Sequence, residues 1–63
     1  MNFLKEKRTE QGLTMKQLAE RIGVSESAIS RWESGERSIS PYYAKKLSVV
    51  LECEWTEFYE EPF

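Results

Sequence analysis

Apolar positions in this chain recur at intervals of three and four rather than two. Met15, Leu18, Ala19 and Ile22 fall at i, i+3, i+4 and i+7, which is one face of a helix. Thr14-Met-Lys-Gln17 immediately before them reads as a capping box: the Thr14 oxygen accepts from the Gln17 N–H, and the Gln17 side chain reaches back. Gly23 follows where a helix ends most easily in the left-handed conformation. Ser25 is a good N-cap for a next helix that offers Ala28, Ile29 and Trp32 to a core and stops at Ser34-Gly35. After the loop Glu36-Arg-Ser-Ile39, Ser40-Pro41 restarts a helix, with Pro in the first turn where its missing N–H costs nothing. Ala44, Leu47, Val50 and Leu51 give that helix its buried face. A polar segment from Asn2 to Gln11, with Phe3 and Leu4 at one end and Gly12-Leu13 closing it, precedes the whole series. A last short helix, roughly Glu54 to Tyr59, presents Trp55, Phe58 and Tyr59. Clusters of β-branched residues with period-two alternation are missing. The expectation is an all-α chain of five short helices forming a single domain over residues 1–63.

Composition narrows what such a domain can do. At 63 residues the chain has room for one small core and buries only about 60% of the surface its unfolded form exposes. With 40% hydrophobic and 32% charged residues it is globular in type rather than disordered. There is no His and no Asp, so neither a Ser-His-Asp nor a Cys-His nucleophilic arrangement can be assembled. The single Cys53 forms no internal disulfide and, without His, no zinc site; a small buried thiol is the simplest reading. Paired-Glu chemistry would need an enclosed pocket that so small a domain has little room for. An enzyme is not expected, nor a metal, a cofactor or a small-molecule ligand. The N-terminus carries charge where a signal peptide needs an apolar core, and Leu47-Ser-Val-Val-Leu51 is far too short to span a bilayer, so a cytoplasmic location is expected.

The net charge of −2 and pI near 5.1 argue, taken whole, against a nucleic-acid partner. Their distribution changes that conclusion. All nine Lys and Arg lie within residues 1–46 against six Glu, an excess of +3. Residues 47–63 hold five Glu and no base, −5. The acidity is segregated at the C-terminal end.

Two helices joined by a turn of about three residues containing Gly form a supersecondary unit used to read DNA. Leu13-Thr-Met-Lys-Gln-Leu-Ala19, Ile22-Gly-Val-Ser25 and Ile29-Ser-Arg-Trp-Glu-Ser-Gly35 resemble the phage-repressor and Cro type of helix-turn-helix, the xenobiotic-response-element family. The resemblance covers nearly the whole chain and implies a compact five-helix, lambda-repressor-like domain. It implies a sequence-specific regulator of transcription, repressor-like, that binds double-stranded operator DNA, usually as a homodimer. The helix starting at Ser25 would then enter the major groove. Its first turn and outward face would present Arg31, Ser27, Glu26 and Ser30 to base edges, Arg31 foremost because a guanidinium bonds guanine O6 and N7 together. Phosphate contacts are expected from Thr14, Lys16, Gln17, Ser25, Arg37 and Ser38, with the freed backbone N–H groups at Thr14 and Ser25 as anion partners. Arg8 and Glu33 match the family's buried ion pair joining the first helix to the end of the reading helix. Trp55, Phe58, Tyr59 and Phe63 are divided between closing the core and meeting a second copy. Two departures from the family pattern stand out. Met15 occupies a position commonly Gln, and cannot donate to a phosphate. The loop between Gly35 and Leu47 is about one residue longer than in some relatives. The rival expectation is a protein-interaction module, antitoxin-like or a regulator's partner, that kept the fold without strong DNA binding.

Overall fold

The computed structural model describes residues 2–59 and arranges them as α1 (Phe3–Glu10), α2 (Met15–Ile22), α3 (Glu26–Ser34), α4 (Pro41–Leu51) and a 3-10 helix (Trp55–Tyr59). The expected fifth α-helix is therefore a 3-10 helix, and it begins at Trp55 rather than Glu54. Five residues are too few for an i→i+4 ladder to repay helix nucleation, and the Glu57 N–H instead reaches the Glu54 carbonyl three residues back at 3.1 Å.

Local chemistry accounts for the helix boundaries. Each α-helix opens on a side-chain cap: Asn2, Thr14, Ser25 and Ser40 accept from the backbone N–H groups of Lys5, Gln17, Ala28 and Tyr43. The capping box at α2 is complete, with Gln17 N–H on Thr14 Oγ1 at 3.1 Å and Thr14 N–H on Gln17 Oε1 at 2.9 Å. At the other end Gly23, at φ 76°, lets the N–H groups of Gly23 and Val24 both turn back to the Ala19 carbonyl. α4 ends on Glu52 at φ 56°, a left-handed residue that is not glycine.

Leu4, Leu18, Ala19, Ile22, Ile29, Trp32, Ala44, Leu47, Leu51 and Phe58 form one buried cluster. α2 and α3 pack most extensively on each other, and α4 closes over α2 and the 3-10 helix. Met15, Val24, Val50 and Cys53 pack half-buried at its rim. Phe58 is only 8% exposed and meets the Phe3 ring edge-on at 5.2 Å between centroids. It takes the core role, one of the two expected of it, the other being a dimer contact. The hydrophobic period of α2 to α4 carries most of this core, while Leu4, Phe3 and Phe58 complete it from the two ends of the chain.

Candidate nucleic-acid interface

The burial of α3 decides what it shows to solvent. Ile29 and Trp32 face the core and Ala28 is half-buried, so Glu26, Ser27, Ser30 and Arg31 share the exposed face. Among the described residues the Arg31 guanidinium has neither an ion-pair nor a hydrogen-bond partner. Glu26 and Arg31 stand five residues apart, about 7.5 Å along the helix axis. The Ser25 cap spends its hydroxyl on the Ala28 N–H at 3.2 Å, which leaves the N–H groups of Glu26 and Ser27 directed out of the first turn.

The N-terminus of α2 differs from the expectation in one respect. The Thr14 N–H is not free for an anion, because the capping box delivers it to Gln17 Oε1. What this end offers instead is the exposed Lys16 side chain and the amide nitrogen of Gln17, whose oxygen the cap has taken. Arg37 and Ser38 lie exposed in the loop after α3, and the Arg37 N–H donates to the Arg31 carbonyl at 3.3 Å. That bond folds the loop onto the last turn of the exposed helix.

A buried ion pair ties α3 to α1. Arg8 Nε donates to Glu33 Oε2 at 2.6 Å and Nη2 to Glu33 Oε1 at 3.2 Å, while Nη1 donates to the Leu13 carbonyl at 2.8 Å. Arg8 is 9% exposed, and each of its three guanidinium nitrogens has a partner, in one bidentate fork and one backbone bond. Asn2 adds a second tie: its Oδ1 caps α1 while its Nδ2 donates to the Glu33 carbonyl. Sequence reasoning missed Asn2 in this role. The residue type marks a cap, but nothing marks a partner 31 residues away. It also missed Lys46, whose Nζ donates to the Ile22 carbonyl at the end of α2 at 3.3 Å.

The acidic end carries the other aromatic residues expected at a core or dimer contact. Trp55 is half-buried with Lys45 Nζ 5.1 Å from its ring centroid. Tyr59 exposes its ring but ties its hydroxyl to the Ile39 carbonyl at 2.6 Å. Phe63, expected among the dimer contacts, lies outside the described residues. Burial pushes the Cys53 thiol above its ordinary pKa, and the nearby Glu57 carboxylate pushes it the same way; Lys7 opposes them.

Two adjoining open grooves of about 340 and 360 Å³ run past Trp32, Ile39 and Phe58, and Glu33, which lines the first of them, is held by Arg8. Among the described residues no three potential ligands stand together to hold a metal, and no helix is long and apolar enough to cross a membrane.

Comparison with known proteins gives the arrangement its context. The helix-turn-helix family model matches residues 4–58. The crystal structure of SinR, the master regulator for biofilm formation, in complex with DNA superposes with a TM-score of 0.82 at 29% identity, over 90% of this chain and 92% of that one. The SinR protein/SinI protein complex superposes with a TM-score of 0.83 at 30% identity over 92% of this chain, which spans 57% of the matched chain. A search of curated proteins finds no sequence match. Members of the matched family are regulators rather than enzymes. With the match running from α1 through the 3-10 helix, the chain belongs to the helix-turn-helix family of the xenobiotic-response-element type.

Proposed function

We propose that this chain is a sequence-specific, double-stranded-DNA-binding regulator of transcription that reads the major groove with α3. The observation that carries the proposal is Arg31, without a partner among the described residues, on an exposed helix face shared with Glu26, Ser27 and Ser30. Arg31 donates to guanine O6 and N7, Glu26 accepts from cytosine N4, and the two short serines let the helix approach the base edges. The separation of Glu26 and Arg31 along the helix, about 7.5 Å, matches about two base-pair steps. Lys16, Gln17, Arg37 and Ser38, the Thr14 hydroxyl and the first-turn N–H groups after Ser25 meet the flanking phosphates and set the register. The DNA-bound state of SinR supports this reading, as does the family to which the chain belongs. A homodimer on a two-fold operator fits the proposal, with half-sites about one helical turn apart.

Selection of bound duplexes from a random pool tests it, followed by titration of the winning duplex at several salt concentrations. A common guanine-containing half-site is expected. Arg31→Ala should lower affinity for that half-site by about 1–3 kcal/mol and relax the preference at the guanine. A pool that shows no enrichment, or an Arg31→Ala variant with unchanged preference, overturns the assignment.

A further inference from the structure

Two features of α4 have no part in the core or in the DNA-facing surface just proposed. Tyr42 is 63% exposed, large and aromatic, and Lys46, itself an exposed residue, brings its amine back onto the end of α2. They belong to one continuous line of contacts. Trp32 of α3 meets Tyr43 with the rings tilted at 46° and centroids 5.3 Å apart, Tyr43 meets Tyr42 edge-on at 5.0 Å, and Lys46 Nζ sits 5.1 Å from the Tyr42 ring centroid. The same amine donates to the Ile22 carbonyl.

The Ile22 carbonyl is the important terminus. It is among the last four of α2, which no helical N–H can reach. The N–H groups of Gly23 and Val24 both go to Ala19 and leave it without a backbone donor. Lys46 supplies that donor and sets a positive charge at the negative end of α2. We propose that Lys46, supported by Tyr42, is a positioning residue for the reading helix. It closes a ring from α3 through α4 to the end of α2, and so fixes the angle across the Gly23-Val24 turn. The inference rests on the proposal that α3 reads DNA. It further assigns the Lys46 charge to the carbonyl end of α2 rather than to a phosphate.

The test compares wild type, Lys46→Met, Lys46→Arg and Tyr42→Leu on the selected duplex and on random-sequence duplex across a salt series. Lys46→Met should weaken the selected duplex about tenfold and the random duplex by less than about threefold. The slope of log affinity against log salt should stay unchanged, Lys46→Arg should recover most of the loss, and Tyr42→Leu should share a part of it. Equal losses on both duplexes, with a slope smaller by about 0.9, would make Lys46 a phosphate contact and overturn the inference. So would unchanged binding. Amide exchange of Gly23 and Val24 without DNA gives a separate readout: faster in Lys46→Met and restored in Lys46→Arg, with α1 unaffected. If wild type prefers no duplex, the DNA-reading proposal fails while the positioning role is judged on that exchange alone, and unchanged exchange ends it.

Discussion

Single residues in this chain carry unequal shares of its stability, and Glu33 carries one of the largest. Removing it would leave the nearly buried Arg8 guanidinium with one backbone carbonyl and no counter-charge. Glu33→Ala is expected to cost about 3–5 kcal/mol, enough to unfold much of so small a domain, and urea denaturation would register it. Replacing the pair together, Arg8→Met with Glu33→Leu, should be milder, since it removes both charges from the low-dielectric interior. Cys53 yields a pH-dependent prediction. Its folded pKa lies above that of the unfolded chain, so the unfolded form gives up a proton first as pH rises. The contribution is complete below the ordinary thiol pKa and is lost as pH climbs through the folded value. The urea midpoint of wild type should fall more steeply than that of Cys53→Ala between about pH 8 and about pH 10, and parallel curves would refute the linkage.

At the level of elements, the helix boundaries were legible because each is written in adjacent residues. Thr14 with Gln17, Gly23, Ser25, Gly35 and Ser40-Pro41 act within a turn of themselves, and the structure places helix ends at each. Thr14→Ala should therefore cost about 1 kcal/mol, read as a drop in the thermal midpoint. Gly23→Ala should cost about 1–2 kcal/mol through backbone strain alone, because a Cβ there would meet nothing within 4 Å. The 3-10 helix was not legible as such, since two aromatic residues three apart suit either helix type and the choice fell to its brevity. The Thr14 N–H is occupied for a related reason: the second bond of the capping box that Thr14 and Gln17 spell out consumes the donor expected to meet an anion.

Over the whole molecule, charge separation governs how the proposed complex forms. Of the exposed basic residues outside the reading face, the proposal places two, Lys16 and Arg37, against phosphate. Log affinity for random-sequence duplex should fall with log salt at a slope of about −2 per bound chain, since each neutralised phosphate contributes about −0.9. A slope near zero would point to a surface that does not meet the DNA backbone. The amino-acid sequence by itself determined the helical period, the caps, the glycine turns, the segregation of charge and the family resemblance, because these depend on neighbours within about two turns or on residue type alone. Only the tertiary structure decided which long side chains finish the assembly. Asn2 reaches Glu33, Lys46 reaches Ile22, Tyr59 reaches Ile39, and Phe58 closes on Phe3 rather than facing outward. Each of these contacts joins residues at least 20 positions apart. Their partners are backbone carbonyls or the face of a ring, which residue type does not advertise. They come within reach only once α1, α4 and the 3-10 helix have been packed around α2 and α3.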